Sequence, residues 1–161
     1  MFYEKILDKL NSAVEVLISF LLTFMVVVVF LQVVFRFIIH SSLPWSEEAA
    51  RYLLIWISFL GATVGVKRGA HVGVEAVVNL FGGRKRRAIS VVAYVLEAAF
   101  FVFLVLYGYR ILSIVFCQSS PAMEISMAVP YSSLPVSSAI MLLYTIDGLF
   151  RTIFDPTEVI A

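Results

Sequence analysis

Residues 14–39 read VEVLISFLLTFMVVVVFLQVVFRFII. Valine, isoleucine and phenylalanine are strand formers by intrinsic preference, but here the unbroken length decides otherwise. A membrane-barrel strand alternates apolar and polar residues over about 10 positions. A helix crossing the hydrocarbon core needs about 20 mostly apolar residues. This stretch has the second pattern, and in lipid a helix satisfies every backbone group from within its own segment.

Outward from it, three more stretches have the same character, at about 47–66, 88–116 and 132–154. The expected fold is an all-α integral membrane protein, a single four-helix membrane domain over 1–161. Composition agrees. The chain is 61% hydrophobic and 14% charged, with mean hydropathy +0.99; an ordinary soluble domain carries roughly 25% charged residues. A net charge of +1 gives no reason to expect a nucleic-acid partner. The one cysteine, Cys117, excludes an internal disulfide, a CxxC pair and a multi-cysteine metal site. His40 and His71 lie at the edges of apolar runs, where they cannot face each other as haem ligands. No cofactor or metal is expected on this chain.

Lysine and arginine positions set the orientation of a membrane protein. Lys5, Lys9, Lys67, Arg68, Arg84, Lys85, Arg86, Arg87 and Arg151 fall on one side if the chain crosses four times; Arg36, Arg51 and Arg110 fall on the other. Both termini are therefore expected in the cytoplasm, with the loop from Gln118 to Ser126 outside. The basic N-terminus imitates a signal peptide, but the apolar run is too long and no small-x-small cleavage site follows, so an uncleaved first span is expected.

Between the second and third spans, HVGVEAVVNLF (71–81) places His71, Glu75 and Asn79 on one helical face, with valines and Phe81 largely on the other. It is too short to cross and fits an amphipathic helix lying in the cytoplasmic interface. Lys67, Arg68, His71 and the run Arg84, Lys85, Arg86, Arg87 would anchor that side against phospholipid headgroups. In the last loop, Pro130 is expected to shape the turn, and Pro135 fits the first turn of the fourth span after Ser132 or Ser133 as a cap.

SLPWSEEAARYLLIWISFLG (42–61) opens the second span with charge. Glu47, Arg51, Leu54, Ser58, Gly61 and Gly65 share one helical stripe, ionic at its outer end and small below. Gly61 and Gly65 form GxxxG, which lets helix backbones approach closely. Ser46 could cap the helix, and Glu47 precedes Arg51 by four residues in the better order. Arg36, near the end of the first span, falls at the same outer level. A network of Arg36, Glu47, Glu48 and Arg51, clamping the first two helices, is expected, because charges at that depth are costly unless paired. Glu97 lies about 10 residues into the third span, roughly 15 Å along a helix. Two readings stay open for it: a proton or ion site, or a hydrogen-bonded glutamate packed against another helix. Asp147 and Arg151 are spaced for an i,i+4 pair.

The run PWSEEAARYLLIWISFLGATVGVKRGAHVGVE resembles the signature of the small membrane subunit of TRAP (tripartite ATP-independent periplasmic) transporters. The matching positions are Trp45, Glu47, Glu48, Arg51, Tyr52, Trp56, Phe59 to Ala62, Lys67, Arg68 and His71; Glu75 stands where an aspartate is common. PAMEISMAVPYSSLPVS is similar to the family's last loop. The resemblance implies a multi-pass protein of the bacterial inner membrane, without enzymatic activity. It implies a static scaffold beside a large polytopic subunit that carries the sodium and substrate sites. It further implies a periplasmic binding protein that delivers organic acid anions such as sialic acid or C4-dicarboxylates. The rival readings are a glutathione-using four-helix membrane enzyme and an autonomous small exporter working through Glu97.

Overall fold

The computed structural model describes residues 2–69 and 83–154. The expected interfacial helix 71–81, with His71, lies outside the described residues. Among those described, four helices are long and apolar enough to cross a membrane. They are α1 (Phe2–Phe37), α2 (Pro44–Lys67), α3 (Gly83–Val115) and α5 (Ser133–Phe154); a single turn, α4 (Ala128–Tyr131), precedes the last.

Helix α1 begins at Phe2, well before the apolar run starts at Val14. Leu7 and Val14 are buried on the same side, so its polar first turns extend a packed face already set by the span. Helix α3 likewise begins at Gly83 rather than Ala88. At 1.5 Å per residue the 36 residues of α1 reach about 54 Å and the 24 of α2 about 36 Å. Both exceed the hydrocarbon thickness of about 30 Å, as does α3 with 33 residues and about 50 Å.

The lateral order is α1, α2, α5, α3: α1 packs along α2, α2 along α5, and α5 along α3. Both described chain ends lie at one end of the bundle, the terminal end. The α1–α2 turn and residues 116–132 lie at the other, the loop end. At the centre, α5 buries Ser133, Ser137, Ser138, Met141, Tyr144, Thr145 and Thr152, and α2 buries Thr63. Small hydroxyl residues suit this seam, because lipid supplies no hydrophobic drive between helices and close backbone approach must replace it.

Gly108 and Gly148 sit at tight contacts between α3 and α5. A Cβ at Gly108 would stand 3.1 Å from Pro135 Cβ and Cδ, and one at Gly148 would stand 2.8 Å from the Tyr94 ring. A Cβ at Gly61 would meet nothing within 4 Å. The GxxxG stripe thus makes no close helix contact within the chain at Gly61. Its members Glu47, Arg51, Leu54, Ser58 and Gly61 are exposed, and only Gly65 is half-buried.

Candidate functional site

At the loop end, α2 starts after Leu43, whose side chain makes no cap, with Pro44 in the first turn. Proline fits there because the first helical N–H has no partner in any case. Ser46 is not the expected cap. It is buried inside the first turn and its hydroxyl donates to the Leu43 carbonyl at 2.7 Å. At the start of α5, Ser133 likewise turns back, donating to the Pro130 carbonyl at 2.7 Å.

The two glutamates part company here. Glu48 is 8% exposed. Its Oε2 accepts the backbone N–H groups of Ala122 at 3.0 Å and Met123 at 2.9 Å, and its Oε1 accepts the Tyr52 hydroxyl. Trp56 Nε1 donates to the Val129 carbonyl at 3.1 Å. Residues 48, 52 and 56 recur every four positions, so one face of α2 holds the loop that joins α3 to α5. That loop closes on itself through Ser120 N–H to the Ile125 carbonyl at 2.8 Å and Met127 N–H to the Gln118 carbonyl at 2.8 Å.

Glu47 points the other way and accepts from Gln32 Nε2 at 3.2 Å. Arg36 lies 5.9 Å from the centroid of the Phe37 ring. It shares with Gln32 and Glu47 the lining of a cavity of about 330 Å³ between α1 and α2. Arg51 and Trp45 are exposed. Among the described residues, no ion pair joins Arg36 or Arg51 to either glutamate. The expected four-charge clamp is instead two separate contacts, because the single-residue step from 47 to 48 turns the side chain by about 100° around the helix.

At the terminal end the charges are paired. Lys67 meets Asp8 at 3.0 Å and Arg68 meets Glu15 at 2.8 Å, tying α2 to α1. Arg151 meets Asp147 at 3.0 Å, the expected i,i+4 pair, and also Glu4 of α1 at 3.3 Å. Arg87 donates to the carbonyls of Thr152 (3.1 Å) and Ile153, where the last carbonyls of α5 have no helical acceptor role left. Lys67, Arg68 and Arg87 thus bind protein groups as well as lying at the basic end; Lys85 is exposed and Arg86 half-buried.

Glu97 is packed against α5. Thr145 Oγ1 donates to its Oε1 at 3.0 Å. It also borders a polar cavity of about 490 Å³ together with Val66 and Lys67, the last residues of α2, and with Glu4, Asp8, Asp147 and Arg151. Glu97 is the fifteenth of the 33 residues of α3 and Thr145 the thirteenth of the 22 of α5, so their contact lies near the middle of both helices. Among the described residues, no group of His, Cys, Asp and Glu side chains is placed to hold a metal ion.

The family model for tripartite ATP-independent periplasmic transporters, DctQ component, matches residues 25–155. A putative TRAP transporter small permease protein of Haemophilus influenzae is 41% identical over 70 residues, 44% of each chain. The C4-dicarboxylate TRAP transporter small permease protein DctQ of Vibrio cholerae is 30% identical over 96 residues, 60% of this chain and 41% of that one. The match therefore spans less than half the length of these two relatives. The isethionate TRAP transporter permease protein DctMQ of Oleidesulfovibrio alaskensis is 26% identical over 144 residues, 81% of this chain and 22% of that one. These relatives are transporter permease proteins rather than enzymes. With four membrane-length helices and a family match over most of its length, this chain belongs to the DctQ component family of TRAP transporters, as a small, multi-pass subunit of the bacterial inner membrane.

Proposed function

We propose that the chain is the stationary subunit of a sodium-coupled importer of organic acid anions, of the C4-dicarboxylate, isethionate or sialic acid kind. It stands beside a large membrane subunit that binds sodium and substrate, and is served by a periplasmic binding protein. The observation that carries this reading is the outward stripe of α2. Glu47, Arg51, Leu54, Ser58 and Gly61 are exposed, and Gly61 has open space where a Cβ would stand. A small, apolar stripe with charges at one end fits the backbone of a partner helix. The DctMQ relative supports a large partner, since the stretch similar to this chain is only 22% of its length.

Reconstitution tests the reading. Proteoliposomes holding this chain alone should move no substrate. Those holding it with the large subunit should take up substrate under an inward sodium gradient once the binding protein is added. Uptake by this chain alone would refute a scaffold role.

The basic terminal end is cytoplasmic in this reading. Cys117, the sole cysteine, is exposed just beyond α3 at the loop end. It therefore offers a label without mutagenesis. A membrane-impermeant maleimide should modify it in spheroplasts at the rate seen after lysis. Modification only after lysis would place the loop end in the cytoplasm and reverse the orientation.

A further inference from the structure

Helices α2 and α3 each border a groove that has α5 beneath it. Its loop-end part, about 680 Å³, is walled by Arg51, Ile55 and Phe59 of α2 and Ile111 of α3, over Leu134 of α5. Its inner part, about 410 Å³, is walled by Ala62 and Gly65 of α2 and Phe100 and Leu104 of α3, over Met141 of α5. Phe59 borders both parts, and together they follow α2 from Pro44 to Val66, about 33 Å along the helix.

We propose that this groove seats one membrane-crossing helix of the large subunit, apolar along its length and carrying an aspartate or glutamate opposite Arg51. The proposal rests on the large-subunit reading above and names the chemistry of the helix that docks. Length argues for a helix. The hydrocarbon core is about 30 Å thick, and a lipid tail occupies roughly one half of it, whereas a crossing helix runs the whole groove. Ala62 and Gly65 narrow the α2 wall, which lets a second backbone come close, and the bulky apolar residues of the other walls suit a helix laid into a groove.

Arg51 is an independent observation. It is the eighth residue of α2, about 10 Å in from Pro44. It is exposed, and it belongs to no ion pair among the described residues. The two glutamates beside it are turned elsewhere, Glu47 to Gln32 and Glu48 to Tyr52 and the amides of Ala122 and Met123. At the inner end, Glu97 accepts from Thr145. A charge within a span is costly unless paired. A guanidinium offers five N–H donors, and a carboxylate takes two of them at once.

Photocrosslinking in the complex of this chain with its large subunit tests the proposal. Benzoylphenylalanine at position 55 and, separately, at position 62 should both crosslink to one helix of the large subunit, at sites about seven residues apart. An aspartate or glutamate should stand about four residues further toward the loop end than the position-55 site. Arg51→Glu should lower recovery of the large subunit about tenfold, and exchanging that acidic residue for arginine should restore it. Melting of the isolated chain should not change, because Arg51 is exposed. Crosslinks to lipid, or to two different helices, overturn the proposal. So does a crosslinked helix with no acidic residue within one turn of the expected level, or unchanged recovery with Arg51→Glu. Should Arg51→Glu fail to fold, the crosslinks, made in a chain that keeps Arg51, carry the test. None of these measurements uses transport, so their failure leaves the transporter reading standing.

Discussion

Glu48→Ala is expected to free the loop between α3 and α5 and to lower the thermal midpoint of the detergent-solubilised chain by about 5 °C or more. The carboxylate accepts two backbone N–H groups, from Ala122 and Met123, and the Tyr52 hydroxyl. Alanine leaves the two amides without this acceptor and the Tyr52 hydroxyl with only the Met127 sulfur, 3.3 Å away. The two amides belong to the turn at the tip of the loop, so the loss falls on the loop first. Limited proteolysis between residues 118 and 127 should therefore speed up before the helices melt. Glu48→Gln should fall between wild type and alanine. Its carbonyl oxygen can still accept, but its amide meets donors with a donor. Glu47→Ala is the control. It removes one exposed contact of 3.2 Å from Gln32 and should shift the midpoint by about 1 °C or less. A Glu48→Ala chain with wild-type melting and wild-type proteolysis would show that the loop is held by its own turn contacts and by Trp56.

The four membrane-length helices were legible because lipid imposes one requirement, an apolar run of sufficient length, and each span states it locally. Where α1 and α3 begin was less legible. Nothing in FYEKILDKLNSA marks a helix continuing beyond the span except Leu7, which falls on one face with Val14 of the span. That Glu97 would accept from Thr145 of α5 was not legible either, because which helices pack together is a fact that no count along one helix contains. The glutamate pair shows a different limit. That one carboxylate would be turned towards a loop was open to the sequence, because 48, 52 and 56 recur at helical spacing with groups able to hydrogen-bond. That its partners would be the amides of Ala122 and Met123 was not, since a backbone amide has no side-chain signature and lies about 75 positions away. Balanced charge in Arg36, Glu47, Glu48 and Arg51 read as mutual pairing, whereas the structure satisfies the glutamates with neutral donors.

The small residues separate two kinds of contact, and substitution should separate them in opposite ways. Gly108 is buried, and a Cβ there would stand 3.1 Å from two carbons of Pro135. The pyrrolidine ring has no rotamer by which to retreat, so α3 must move away from α5. Gly108→Leu is expected to destabilise the isolated chain by about 1–3 kcal/mol, the usual range for overpacking. Gly148→Ala should be milder, because the atoms met are the far edge of the Tyr94 ring, which can swing. Gly61→Leu should do neither. Open space surrounds the position, and a leucine on an exposed helix face changes stability by about 0.5 kcal/mol or less, or raises it through helix propensity. Its effect belongs to the assembly. If a partner helix lies along Glu47, Arg51, Leu54, Ser58 and Gly61, a leucine at 61 forces the two backbones apart. Recovery of the large subunit in a mild-detergent pull-down should then fall about tenfold, as expected for a loss near 1.4 kcal/mol. Melting of the chain alone and recovery of the large subunit are thus two readouts that the two glycines should affect in reverse. Should Gly61→Leu assemble as wild type does, α2 presents its stripe to lipid, and the partner must lie against the exposed apolar faces of α1 or α3.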